Sequence, residues 1–97
     1  MDNGVAIPHL FVNGLNRTIF AFGRIPDGVD FDAIDKKPVY FVCLILSDQK
    51  DYRSHLNLLA FLARRFQNPT FIKNLIKAKY KKHIVSLLFN NAPSSMN

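Results

Sequence analysis

The chain has 97 residues, 48% of them hydrophobic, and 13 Lys and Arg residues against 7 acidic ones give it a formal net charge of +6. This length allows one small domain with an apolar core and argues against long disordered arms. No apolar run approaches the length of a bilayer span, so we do not expect membrane insertion. A single cysteine and the lack of a recognisable secretion signal predict a cytoplasmic protein.

The charge is distributed unevenly along the chain. Residues 1–51 contain all seven acidic residues and five Lys or Arg, whereas residues 52–97 contain eight Lys or Arg and no acid. A basic half can bind nucleic acid or another anionic surface, but no aromatic or arginine-rich recognition motif accompanies it here. We therefore interpret it as the solvated face of helices, and we predict no nucleic-acid partner.

The opening segment, residues 4–9, is an apolar run that ends in Pro8 and His9. It predicts a short buried strand or turn. The ring of Pro8 fixes its own φ angle and keeps Ile7 out of the helical region, so the backbone that carries His9 is stiff. A histidine presented in a fixed direction suits nucleophilic catalysis, although the same pattern also occurs in ordinary loops at strand ends.

Two strands are predicted in the next part of the chain. After the turn signal Asn13-Gly14, residues 18–23 are β-branched or aromatic and predict a strand that ends at Gly23. Residues 25–37 contain Pro26-Asp27-Gly28 and predict a surface loop with a brief extended piece at residues 29–31.

The apolar run of residues 39–46, which follows Pro38, does not alternate with polar residues and predicts a central strand buried on both faces. The single cysteine, Cys43, lies inside this run. We therefore expect it to be buried.

From residue 52 to residue 66 the apolar residues recur at helical spacing. Asp51 is the predicted N-cap, with Asp48 as an earlier alternative. His55 then lies in the first turn, on the same side as Leu59 and Leu62. The predicted core stripe of this helix is Tyr52, Leu56, Leu59, Ala63 and Phe66.

Asn68 and Pro69 predict the start of a second helix, with a cap followed by proline at the first helical position. Because Lys73, Lys77 and Lys81 would repel one another in one continuous helix, we expect a break near Lys79. A third short helix would begin around Tyr80, with His83 on its surface. The inward residues would be Phe71, Ile72, Leu75 and Ile76 in the second helix and Ile84, Leu87 and Leu88 in the third.

Strands followed by helices, with an apolar central strand, indicate a small α/β layer fold. We assign residues 1–89 to one domain and residues 90–97 to a flexible C-terminal tail. The chain opens directly on what resembles an interior strand, which suggests that the beginning of the fold is missing.

Three blocks of the sequence together resemble a known family. Residues 3–9 read Asn-Gly-Val-Ala-Ile-Pro-His, residues 23–33 read Gly-Arg-Ile-Pro-Asp-Gly-Val-Asp-Phe-Asp-Ala, and residues 55–60 read His-Leu-Asn-Leu-Leu-Ala. In this order and spacing they resemble the enzyme IIA domain of the fructose–mannitol type of the bacterial phosphotransferase system, which includes the nitrogen-regulatory IIA proteins. The resemblance covers nearly the whole chain and implies an α/β domain with a small mixed β-sheet flanked by helices.

The resemblance also implies roles for both histidines. In that family the histidine of the Pro-His motif, here His9, accepts a phosphoryl group from the carrier protein HPr or its nitrogen-branch counterpart. It passes the group to a cysteine on a IIB domain or holds it as a regulatory signal. The histidine that opens the later helix, here His55, belongs to the same active site and would stabilise the phosphoryl group. Cys43 is not the IIB cysteine, and no metal or cofactor is expected.

Family members carry a further N-terminal segment with an active-site arginine, to which nothing in this chain corresponds, so we expect an N-terminally truncated member. Arg24 and Arg53 are the open alternatives for that cation. The rival hypothesis is a binding protein that has lost phosphoryl transfer and docks partners through its basic helices. On either hypothesis, truncation should expose a sheet edge, and we predict self-association.

Overall fold

The computed structural model describes residues 4–29 and 38–90 of the chain. Within these residues a mixed four-stranded sheet is followed by three α-helices, which confirms the predicted α/β class. The strands are β1 (Val5–Ala6), β2 (His9–Phe11), β3 (Ile19–Val29) and β4 (Val39–Ser47), and the helices are α1 (Tyr52–Arg65), α2 (Pro69–Lys77) and α3 (Lys81–Phe89).

The central strand of the described sheet is β4, as predicted. Val5 of β1 pairs with Phe41, and His9 of β2 pairs with Ile45, both in parallel, so β1 and β2 lie end to end along one edge of β4. Pro8 separates them because it has no N–H to donate to a ladder. On the other side β3 pairs with β4 in antiparallel fashion.

The prediction that β4 is buried on both faces was wrong. Every second residue from Val39 to Ser47 is buried, and the residues between them are partly or fully exposed. The described helices pack against the buried face through side chains such as Phe41 and Ile45. An uninterrupted apolar run therefore serves here as a strand with one covered face.

Strand β3 is longer than predicted. The sequence indicated a strand that ends at Gly23 and then a loop, but β3 continues to Val29. It stays paired with β4 because a register shift between Arg24 and Val29 accommodates the residues of the predicted turn. Gly28 takes φ +75°, and a Cβ at that position would lie 2.8 Å from the Tyr40 ring. The rest of the predicted loop, residues 30–37, and the tail beyond Asn90 lie outside the described residues.

A short 3₁₀ turn, Gln49–Asp51, connects β4 to α1. Asp48 caps this turn by accepting a hydrogen bond from the Lys50 N–H at 3.1 Å, whereas Asp51 precedes α1 without a capping side-chain bond. Of the two predicted caps, Asp48 is therefore the one whose side chain is used.

The buried stripe of α1 differs from the predicted one in its first turns, although Phe66 at the end of the predicted stripe is buried. Tyr52 and Leu56 are 54% and 42% exposed, while His55, Leu58 and Leu62 are buried. The segment is so rich in leucine that two helical stripes fit it almost equally well. The structure buries the stripe that contains His55 and Leu62, two residues that the sequence placed on the same side of the helix.

Helices α2 and α3 follow the prediction closely. The side chain of Asn68 accepts a hydrogen bond from the Thr70 N–H at 2.9 Å, Pro69 opens α2, and the helices are separated at Lys79. One inward residue was assigned wrongly, since Ile76 is 62% exposed. The short helix α2 buries only two side chains fully.

The core lies between β4 and the three helices. Cys43 is fully buried, as predicted, and burial raises the pKa of its thiol to about 12. His83 is exposed on α3, also as predicted. The buried core side chains are Val5, Ile7, Phe41, Cys43, Ile45, Leu58, Leu62, Phe66, Phe71, Leu75 and Leu88.

Candidate functional site

The carboxyl ends of the parallel strands β2 and β4 meet at one edge of the sheet, where α/β folds commonly place their sites. His9 opens β2 opposite Ile45, close to the end of β4. Because α1 starts soon after β4 ends, its first turn brings His55 back beside the same edge. The two rings lie with centroids 5.4 Å apart and planes inclined at 56°, so the structure brings both predicted site residues together.

The side chain of His9 is exposed, and one of its ring nitrogens is already engaged. Nδ1 lies 2.7 Å from the carbonyl oxygen of Ile7. A carbonyl oxygen only accepts, so Nδ1 carries the proton and Nε2 of the neutral ring keeps a free lone pair. The stiff Ile7-Pro8 segment thus presents the Nε2 lone pair in a defined orientation.

His55 is fully buried beside His9. Its Nδ1 lies 2.8 Å from the Ser47 hydroxyl, whereas its Nε2 has no hydrogen-bond partner within the described part of the chain. Burial lowers the pKa of His55 below its usual value, and electrostatic interaction with the neighbouring His9 ring lowers it further. His55 is therefore held neutral, with one polar nitrogen available.

The ring of Phe11 packs against the buried histidine. The Phe11 ring centroid is 4.4 Å from that of His55, and Tyr52 stacks on Phe11 at 5.6 Å. Sequence reasoning singled out neither Phe11 nor Ser47 as a site residue. Strand alternation was the available signal for Phe11, which is two residues from His9 and so shares its face, and a polar residue ending an apolar strand was the signal for Ser47.

Asp48 connects the loop after β2 to the start of α1. Its carboxylate accepts hydrogen bonds from the Lys50 N–H at 3.1 Å and from the Asn16 N–H at 3.4 Å. These bonds, the Lys50 bond first, lower the pKa of the Asp48 carboxyl. The two segments that carry His9 and His55 are thereby fastened to each other beside the site.

Arg24 does not supply the cation considered from the sequence, so that alternative was wrong. It pairs with Phe41, at the opposite end of β4 from His9. Its guanidinium donates to the carbonyl oxygens of Leu75, at 3.0 Å, and Ala78. These are the free carbonyls at the end of α2, so Arg24 caps that helix.

Arg53, the other alternative, is exposed in the first turn of α1. It lies two positions before His55, and residues two apart on a helix do not share a face.

At the Arg24 end of the sheet there is also a cavity of about 760 Å³, lined by apolar side chains such as Ile25 and Tyr40 and by Lys77.

Within residues 4–29 and 38–90 no group of three or more His, Cys, Asp or Glu side chains is arranged to hold a metal ion. None of the helices in these ranges is both long and apolar enough to cross a membrane.

Comparison with known proteins gives consistent results. The family model described as "Phosphoenolpyruvate-dependent sugar phosphotransferase system, EIIA 2" matches residues 1–91. The fructose-specific EIIA component of Haloferax volcanii is 31% identical over 88% of this chain and 55% of its own length. A nitrogen regulatory protein of Bradyrhizobium diazoefficiens is 33% identical over 88% of this chain and 56% of its own.

The crystal structure of the nitrogen regulatory protein IIA-Ntr from Neisseria meningitidis superposes with a TM-score of 0.82 at 32% identity, covering 88% of this chain and 58% of that one. The chain therefore spans little more than half the length of these relatives.

Proposed function

The chain belongs to the EIIA 2 family of the phosphoenolpyruvate-dependent sugar phosphotransferase system, and from this membership we propose that it is a phosphoryl carrier phosphorylated on His9. Family and relatives support a phosphocarrier or regulatory role in that system. We propose in addition that Nε2 of His9 is the acceptor atom and that His55 stabilises the phosphoryl group.

One observation carries the proposal. An exposed histidine, His9, has its Nδ1 proton committed to the Ile7 carbonyl oxygen at 2.7 Å and its Nε2 lone pair free. A neutral imidazole nitrogen is a competent nucleophile near pH 7. The ring of His55 lies beside it, and its Nε2 has no hydrogen-bond partner among the residues that the structure describes.

In the transfer step the Nε2 lone pair of His9 forms a bond to phosphorus. The donor's own bond to phosphorus breaks, and that electron pair returns to the donor. Nδ1 keeps its proton because it continues to donate a hydrogen bond to the Ile7 carbonyl oxygen. The negative oxygens that arrive with the phosphoryl group require a hydrogen-bond donor, and His55 is placed to be that donor.

The proposed partners follow from this step. The donor would be a phosphorylated HPr-like carrier, and the acceptor a IIB domain or, in a regulatory branch, a target protein. We place this role in the cytoplasm. We also propose that β2 takes part in self-association, because Leu10 and Val12 are 62% and 40% exposed at this edge of the described sheet.

A second candidate function keeps the fold without transfer. It is favoured by one observation, that Arg24 is engaged in capping α2 and so is not available to a phosphoryl group. The protein would then dock an acidic partner through the exposed lysines of its basic helices, such as Lys73 of α2 and Lys81 of α3.

The test is the intact mass of the protein after incubation with phosphoenolpyruvate, enzyme I and HPr, kept at neutral or alkaline pH. We expect one added phosphoryl group in the parent and in His83→Ala, which removes an exposed histidine on α3, and none in His9→Ala. A gain in His9→Ala would place the phosphoryl group elsewhere. The absence of any gain in the parent, with HPr itself phosphorylated, would favour the second candidate.

A further inference from the structure

We propose that Ser47 is a positioning residue that keeps the proton of neutral His55 on Nε2, so that His55 donates a hydrogen bond to the phosphoryl group on His9. The presence of a phosphoryl group on His9 rests on the proposed function. The hydrogen bond that holds the His55 proton rests on the geometry of Ser47 and His55.

The contact between these two side chains is built into the fold. Ser47 is the last residue of β4 and pairs with Phe11, and its carbonyl oxygen accepts the Val12 N–H at 2.8 Å. Ser47 and His55 are both fully buried, and the hydroxyl lies 2.8 Å from Nδ1. With its backbone fixed by the strand and its side chain enclosed, the hydroxyl has few other partners.

Chemistry selects the direction of this hydrogen bond. A serine hydroxyl can donate or accept, and a neutral histidine carries its proton on only one nitrogen. If Ser47 donates to Nδ1, the proton lies on Nε2 of His55. If Ser47 accepts, Nε2 becomes a buried lone pair beside the negative oxygens of a phosphoryl group, which is repulsive. Thr18 Oγ1 lies 3.4 Å from Ser47 Oγ and can donate a hydrogen bond to it. The hydroxyl proton of Ser47 then remains available for the hydrogen bond to His55.

The unpartnered Nε2 of His55 supports the same arrangement. Buried polar atoms nearly always have a hydrogen-bond partner, and the exceptions call for an explanation. Here Nε2 belongs to a ring whose centroid is 5.4 Å from that of His9. A phosphoryl group on His9 would supply the partner that Nε2 lacks among residues 4–29 and 38–90.

The two histidines are thereby set in opposite tautomers by their neighbours. The carbonyl oxygen of Ile7 keeps the proton of His9 on Nδ1, and the hydroxyl of Ser47 keeps that of His55 on Nε2. One ring is left as a nucleophile and the other as a donor. Different surroundings of two titratable groups commonly separate their roles in this way.

The experiment compares Ser47→Thr with Ser47→Val. These side chains have nearly the same shape and differ by a hydroxyl against a methyl group, so any effect of added bulk is shared. The ¹⁵N chemical shifts of the His55 ring, recorded at a pH where it is neutral, report which nitrogen is protonated. We expect protonated Nε2 in the parent and in Ser47→Thr, and a mixture of tautomers in Ser47→Val.

The rate of phosphorylation by phosphorylated HPr is the second measurement. We expect Ser47→Val to be slower than Ser47→Thr by about 10- to 100-fold, as when a partner that orients a metal-bound histidine is removed. A proton on Nδ1 of His55 in the parent, or equal tautomers and rates in the two variants, would overturn the inference. The tautomer is read without phosphate, so a parent that shows the expected tautomer but takes up no phosphoryl group would overturn the proposed function instead.

Discussion

At the carboxyl end of β4 a histidine ring nitrogen lies buried without a hydrogen-bond partner in the described chain, whereas toward the amino end of the same strand Arg24 has its guanidinium engaged. Arg24 carries a full charge, and the charge is used to cap α2. His55 is held neutral by burial. The candidate site is therefore distinguished from a structural contact by an available polar atom rather than by charge.

A second arginine behaves like Arg24. Arg65 donates to the carbonyl oxygens of Leu87, at 3.2 Å, and Asn90, at the end of α3. A cation at a helix C-terminus is stabilised by the free carbonyls and by the helix dipole. Arg65, one of the eight basic residues of residues 52–97, therefore stabilises the fold, as Arg24 of the first half does.

The largest expected effect is at the histidine end. Replacing His55 by alanine removes the proposed donor, and we expect the rate of phosphorylation of His9 by phosphorylated HPr to fall by about 10²- to 10³-fold, which is roughly 3–4 kcal/mol of transition-state stabilisation. His55→Gln, which offers an amide N–H, should recover part of that loss. A His55→Ala variant that is folded and reacts at the parent rate would remove His55 from the site.

The next effect belongs to the arginine end. Arg24→Ala should lower the free energy of unfolding by about 1–2 kcal/mol, because the carbonyls of α2 lose a charged donor that is itself exposed to water. Urea denaturation measures this, and Arg24→Lys should be intermediate. The rate of phosphorylation should stay at the parent value in both. A rate loss as large as that of His55→Ala would show that the two ends are not independent.

The smallest effect is on the pH dependence of stability. The pKa of His55 is lower in the folded protein than its ordinary value of 6.5. The unfolded chain therefore binds a proton on His55 more readily than the folded protein does. The contribution of neutral His55 to the free energy of unfolding is complete above pH 6.5 and is lost as the pH falls through the pKa of His55 in the folded protein. Urea denaturation from about pH 8 to pH 5 should show a decrease that is smaller in His55→Gln. An identical pH profile in the variant would contradict the burial of a neutral His55.

Local patterns predicted most of the elements. The Asn68-Pro69 start of α2, the break near Lys79 and the strand after Pro38 all depend on neighbours in sequence. The proximity of His9 and His55 was predicted by family resemblance, because nothing local joins a strand end to a helix that starts about 40 residues later.

The features that sequence reasoning missed depend on tertiary contacts. Strand β3 passes through a turn signal because pairing with β4 outweighs it. The buried stripe of α1 includes His55 because Ser47 supplies a hydrogen bond inside the core. Arg24 caps a helix about 50 residues away, which its own surroundings in sequence do not indicate.

The single cysteine of the chain lies midway along β4, between the two ends compared above. Its thiol is fully buried and has a pKa of about 12, so almost none of it is thiolate at neutral pH. We therefore expect an alkylating reagent to modify Cys43 in molecules in which the helices have separated from the buried face of β4. The rate of Cys43 alkylation thus reports how often the helices separate from the sheet, and it can be measured without changing either histidine or Arg24.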